Sequence, residues 1–154
     1  MYEEKFMLRA LELAREADKL DEVPVGAVIV KRGEIIAEGI NRKERDLVAT
    51  HHAEMVAIEE AAKKLNNWWL EDCELYVTLE PCPMCAMAMQ LSRIKAVYFG
   101  AYDPKTGGAG SVLNIFEKGK FNHDIECSGG YMAQDCGSVI SEYFRRKRKN
   151  KNQS

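Results

Sequence analysis

The sequence predicts a three-layer α/β/α sandwich around one mixed five-stranded sheet. An amphipathic helix comes first, two β-rich runs joined by a tight turn follow, and helical and strand patterns then alternate to the end. Phe6, Ala10, Leu13, Ala14 and Ala17 recur at spacings of three and four within residues 2–20, so that segment is a helix with a face to bury. Val23 to Val30 and Glu34 to Ile40 flank Lys31-Arg32-Gly33, a hairpin with Gly33 at its turn. A polar loop, Asn41 to Ala49, leads to a second helix over His52 to Leu65. There Met55, Ile58, Ala62 and Leu65 share a face, and Glu59/Lys63 and Glu60/Lys64 are supporting pairs four apart.

Glu74 to Leu79 reads as a short apolar strand. Cys82-Pro83 opens a helix through Leu91, proline being tolerated where its missing N–H has no partner. Lys95 to Gly100 is the next strand. Ala101 to Ser111, with three glycines, is a loop, and Val112 to Phe116 is expected to form a short helical turn. His123 to Cys127 supplies the fifth strand and Tyr131 to about Lys149 the closing helix, with Met132, Cys136, Val139, Ile140 and Tyr143 facing inward.

At 154 residues the chain has the size of one domain, and one domain spanning 1–154 is the expectation. Hydrophobic residues at 46% exclude a mainly disordered chain. No apolar run approaches the roughly 18 to 20 residues of a membrane span, and Met1 to Leu20 carries charges throughout, so a cytoplasmic location is expected. Five cysteines, an odd number with two of them in Cys-x-x-Cys, favour metal binding over a disulfide framework. Charge is uneven: residues 1–143 hold 16 basic and 24 acidic side chains, net −8, whereas the last eleven residues carry +6. A basic tail on an acidic body fits a polyanionic partner such as nucleic acid, or a solubilising helix end.

The chemistry-bearing residues are His52, Glu54, Cys82 and Cys85. One imidazole and two thiolates suit zinc in tetrahedral geometry, and cysteines three apart in a first helical turn can share a metal. Three protein ligands leave a fourth position for water, which needs a base beside it, and Glu54 is that group. Alone, Cys-x-x-Cys could be a redox pair or half of a structural zinc site. His52-Ala53-Glu54 together with Pro81-Cys82-Pro83-Met84-Cys85 matches the zinc deaminase signature, H-x-E followed by P-C-x-x-C. Cys73, Cys127 and Cys136 read as packing residues.

Beyond that signature the chain resembles the bacterial tRNA adenosine deaminase family, within the cytidine deaminase-like fold. The resemblance covers nearly the whole chain. It rests on Val23-Pro24-Val25-Gly26-Ala27-Val28, Gly39-Ile40-Asn41, Leu75 to Cys85, Asp103-Pro104-Lys105, Asn122-His123 and Tyr143-Phe144-Arg145. It implies a homodimer, with one zinc per chain, that converts adenosine to inosine at the wobble position of a tRNA anticodon. It also implies that Asn41 contacts the target nucleoside and that Asp103, Asn122, His123 and Phe144 lie along the RNA path. Read from residue type alone, Asn41 and Asp103 are turn residues, His123 a surface histidine and Phe144 core. The rival enzyme reading is deamination of a free base or nucleoside of guanine or cytosine type. Two positions depart from the family pattern: His51 stands where alanine is usual and Met87 where glycine is usual.

Overall fold

The computed structural model describes residues 1–153 of the chain. Helix α1 (Glu4–Lys19) precedes the hairpin β1 (Gly26–Lys31) and β2 (Glu34–Ile40); α2 (Lys43–Asp46) and α3 (Ala53–Leu65) follow. Then come β3 (Cys73–Leu79), α4 (Pro83–Leu91), β4 (Ala96–Ala101), β5 (Glu126–Gly129) and α5 (Ala133–Gln153). The sheet order is β2-β1-β3-β4-β5. β1 runs antiparallel to β2 and β3, while β3, β4 and β5 are mutually parallel, which makes the expected mixed sheet. Helices α1 and α5 cover one face and α3 and α4 the other, each over its own apolar cluster. No described helix is long and apolar enough to cross a membrane.

Parallel strands place all their carboxyl ends on one side of the molecule, and the loops leaving Leu79 and Ala101 meet there. Close helix docking brings α3 to the same place. Every buried position expected on α1 is buried, and Met7 and Leu11 join them. On α3 the expected face is off by about one residue. The side chains turned fully inward are Ala53, Glu54, Ala57, Ile58 and Ala61, with Met55, Ala62 and Leu65 packed only at the margin. The cause lies in the strand beneath: a Cβ on Gly39 would stand 2.2 Å from the Ala53 carbonyl oxygen, so the helix seats its alanines directly on β2.

Three local expectations change. The polar loop after β2 contains α2, whose first amides are bound by a remote carboxylate: Glu44 N–H and Arg45 N–H donate to Glu22 at 3.0 and 2.7 Å. Residues 112–116 are not helical. Val112 and Leu113 N–H both turn back to the Gly107 carbonyl, Gly110 N–H donates to Leu113, and Ala109 bridges Asn114, which folds the segment on itself. The fifth strand begins at Glu126 and not His123, because pairing with β4 starts at Ala96, while the His123 ring bonds the Ile94 carbonyl at 2.7 Å. The turn at Arg32-Gly33 is as expected, both residues having φ near the left-handed region.

Gly39→Ala should destabilise the protein by about 1–3 kcal/mol through this overpacking. Gly33→Asn, at φ +81° with nothing within 4 Å of its would-be Cβ, should stay within about 0.5 kcal/mol of the parent. Urea unfolding of the two variants measures the contrast.

Candidate active site

Two helix starts build the site. His52 is the N-cap of α3 and Cys82 the N-cap of α4, both in extended backbone, and Cys85 follows in the first turn of α4. A histidine and a cysteine have no strong capping side chain of their own, and neither makes a side-chain cap hydrogen bond here. Their side chains turn instead toward each other. The candidate ligand atoms of His52, Cys82 and Cys85 all lie within 4.8 Å of one another. Nδ1 of His52 faces both sulfurs, 3.7 Å from Cys82 Sγ and 3.6 Å from Cys85 Sγ. The fit to zinc is quantitative: bonds of about 2.1 Å to nitrogen and 2.3 Å to sulfur at tetrahedral angles give N···S separations of roughly 3.6 Å.

Electrostatics agree with a cation-binding group. Cys82 is pulled down to about 4, first by the hydrogen bond from the Cys85 thiol and then by His52, against the cost of burial. Cys85 is pushed up by that same bond and by burial. His52 is raised, foremost by its bond to Cys82. Glu54, one residue into α3, is 4% exposed. Burial pushes its carboxyl up to about 7, with contacts to His52 and Cys85 opposing the shift. A carboxyl that changes protonation near neutral pH beside a cluster of metal ligands is suited to general acid/base work.

The ligands open onto a cavity of about 190 Å³ whose lining includes Val25, Asn41, Lys43, Glu54, Asp103 and Thr106. A wider groove of about 660 Å³ adjoins it, sharing Val23, Leu79, Asp103 and Thr106 and running on to Phe144 and Arg148. Asn41 and Asp103 are turn residues and pocket residues at once. Asn41 Oδ1 accepts the Lys43 N–H at 3.1 Å. Asp103 accepts from Lys105 N–H, Thr106 N–H and the Thr106 hydroxyl. Phe144 is 42% exposed and lines the groove instead of packing in the core. Asn122 and His123 stand apart. His123 is bonded just before the amino end of β4, and the seven residue steps from Ile94 to Ala101 span roughly 23 Å of extended chain.

His51 points away from the metal group: its Nδ1 meets Asp46 at 2.7 Å, and Asp46 also binds the Arg42 guanidinium at 3.0 Å. Asp46 is held below the usual carboxylate range by Arg42 first and His51 second. Met87 is half-buried on α4 and outside the lining of the cavity. Sequence reasoning missed Glu22, Lys43 and Glu80, because nothing at their own positions signals what they touch.

A five-stranded mixed sheet, two helix starts aimed at one His/Cys/Cys group and a buried glutamate among them define a hydrolytic deaminase centre. Residues 1–101 match the cytidine and deoxycytidylate deaminase zinc-binding region. The chain is 47% identical to the tRNA-specific adenosine deaminase of Bacillus subtilis over 149 residues, 97% of this chain and 92% of that one. The chain belongs to the cytidine and deoxycytidylate deaminase family and, within it, to the tRNA-specific adenosine deaminases. A solved structure from work on A-to-I editing by tRNA:A34 deaminases at the wobble position superposes with a TM-score of 0.85. That match has 39% identity and covers 89% of this chain and 99% of the other. The guanine deaminase of Nitrosomonas europaea shares the fold at a TM-score of 0.81 but only 27% identity, over 92% and 84% of the two chains.

His51→Ala should leave metal content unchanged and move the urea midpoint little, since Asp46 keeps its Arg42 partner when the His51 hydrogen bond is lost. Metal analysis and urea unfolding test this; loss of metal would put His51 among the ligands.

Proposed function

We propose that this chain is a zinc-dependent hydrolase converting adenosine to inosine at the wobble position of a tRNA anticodon. The observation that carries this is Glu54, buried beside the His52/Cys82/Cys85 group, in a chain 47% identical to a tRNA-specific adenosine deaminase over almost its whole length. His52, Cys82 and Cys85 would hold one zinc ion per chain. When bound, the metal supplies a water whose pKa is brought toward about 7.

The remaining chemistry belongs to side chains. Glu54 takes a proton from the attacking water and delivers it to N1 of adenine as C6 is attacked. It then carries the proton of the new C6 hydroxyl to the amino group, so that the C6–N bond breaks, ammonia leaves and the C6 carbonyl forms. Water and adenosine go in; inosine and ammonia come out. Asn41, whose Oδ1 accepts the Lys43 N–H, has its amide N–H₂ free to donate to the nucleoside. The 190 Å³ cavity has room for a base but not for a stacked duplex, so the target adenosine must be flipped out, as anticodon loop bases can be.

The groove from Asp103 to Arg148 would take neighbouring loop nucleotides, with Phe144 as a stacking platform. Asn122 and His123 would meet the RNA away from the reacting base, or from the second protomer of a homodimer. A tRNA substrate supports a cytoplasmic location. The basic tail divides its labour: Arg146 and Lys147 pair with Asp18 and Asp21 at the end of α1, whereas Arg148 lines the groove one helical turn beyond Phe144.

The deciding assay is ammonia release from an anticodon stem-loop beside free adenosine, cytidine and guanine, with the stem-loop expected to dominate. Glu54→Gln should keep its zinc and lose about 10²–10⁴-fold in turnover, while Cys85→Ala should lose both. A zinc-loaded, active Cys85→Ala protein would overturn the ligand assignment.

Stem-loop binding across several salt concentrations separates charge from stacking. Arg148→Gln should flatten the slope of log affinity against log salt by about 1. Phe144→Ala should weaken binding by a similar factor at every salt, and Arg146→Gln should leave the slope unchanged. An unaltered slope in Arg148→Gln would remove the phosphate contact.

A further inference from the structure

Glu80 is a charged residue with no role in the chemistry above, yet it is 2% exposed and sits two positions before Cys82. Its carboxylate is completely occupied. Oε1 accepts the Asp103 N–H at 2.9 Å and the Ser111 hydroxyl; Oε2 accepts Ala109 N–H at 3.0 Å and Ser111 N–H at 3.1 Å. Two oxygens offer about four lone-pair sites, so none is left for a substrate. Burial opposes its ionisation, and the hydrogen bonds from Ser111, Asp103 and Ala109 outweigh it, holding the group below the usual carboxylate range.

The donors all come from one loop, residues 103–111, and its glycines are shaped to the anchor. A Cβ on Gly107 would lie 2.3 Å from Glu80 Oε2, so only glycine lets the backbone wrap over the carboxylate. Next to it, Gly108 N–H donates to the Pro81 carbonyl at 2.7 Å, and its would-be Cβ lies 2.8 Å from Pro83 N. The loop therefore rests on the very segment that carries Cys82. It also carries Asp103 and Thr106, which form one wall of the cavity.

We propose that Glu80 is a positioning residue, whose carboxylate ties the 103–111 loop to the Cys82 segment and so fixes the wall against which the substrate nucleoside is held. The consequence is a division of labour: Glu54 moves protons, and Glu80, by holding the Asp103 backbone N–H, sets where Asp103 stands relative to the reacting base. Removing it loosens the wall and leaves the metal ligands where they are. The inference rests on the deaminase reading for its kinetic part only.

The test uses the zinc-loaded protein and an anticodon stem-loop with adenosine at the wobble position. Glu80→Gln keeps the shape but sets an amide N–H₂ against backbone N–H groups. Zinc content should match the parent, and amide exchange should quicken about tenfold or more in residues 103–111 while 53–65 and 83–91 stay protected. KM for the stem-loop should rise about tenfold with kcat within about threefold. Ser111→Ala, at an exposed position, should raise KM by about threefold alone and add nothing in the Glu80→Gln background, since both remove the same anchor. Parent-like exchange in 103–111, or a parent-like KM, would overturn the proposal. A collapse of kcat at unchanged KM would also overturn it, by putting Glu80 in proton transfer. If the parent protein itself leaves the stem-loop intact, the substrate reading fails and the exchange measurement still decides the role of Glu80.

Discussion

Two helices have to begin at one point in space for this centre to exist, and most of the architecture serves that requirement. α3 starts at His52 and α4 at Cys82, each presenting unpaired N–H groups and a partial positive charge toward the same spot. That field favours thiolates and any anionic oxygen formed there. The two starts can converge because β2, which precedes α3, and β3, which precedes α4, end on the same side of the sheet. Glycine at position 39 then lets α3 lie within backbone contact of the strand below. A helix held farther away would swing His52 and Glu54 off the sulfurs together, since both ride on its first turn.

Among the described residues three carboxylates are almost wholly buried, and surroundings alone separate their jobs. Glu54 has few donors around it, so burial dominates and raises its pKa toward neutrality, where it can gain and lose protons. Glu22 and Glu80 are buried to the same degree but are filled with N–H and O–H donors, two on Glu22 from α2 and four on Glu80 from the 103–111 loop. Each of these two anchors a segment lining the cavity, from opposite sides: Glu22 holds the stretch that presents Asn41 and Lys43, and Glu80 the stretch that presents Asp103 and Thr106. A titrating carboxyl thus works between two that serve as fixed hydrogen-bond acceptors.

This division explains what could be read from the chain before its structure. Metal chemistry demands particular residue types at short spacings, so His52, Glu54, Cys82 and Cys85 announce themselves locally, and the strong alternation of helix and strand patterns announces the sandwich. Glu22 and Glu80 do not, because the amides they bind lie more than twenty residues away and any loop could supply them. The same reason hides α2, which needs Glu22 for its first turn, and defeats the expected helix at 112–116, where the carbonyl of Gly107 captures the amides that a helix would use. The buried face of α3 was displaced because small residues lie where the helix touches a strand glycine. A periodicity argument weighted by side-chain size looks for the large residues instead. Asn122 and His123 carry a family pattern without a local mechanism, and the fold sets them at the amino end of β4.

The closing helix shows how an uneven charge distribution can serve the packing of the fold. Tyr143 and Lys147 lie four apart on one face of α5, and Phe144 and Arg148 lie four apart on the next. The first face is docked: Tyr143 is buried with its hydroxyl bonded to the Asp21 carbonyl, Lys147 pairs with Asp21, and Arg146 pairs with Asp18. Acidic groups at the end of α1 therefore neutralise part of the tail, and that pairing sets the rotation of the helix about its own axis. The second face is then forced outward over the groove that leaves the cavity at Asp103. A helix undocked from α1 could turn Phe144 and Arg148 anywhere. Docked as it is, it presents an aromatic ring and a guanidinium along the groove that adjoins the cavity at Asp103 and Thr106.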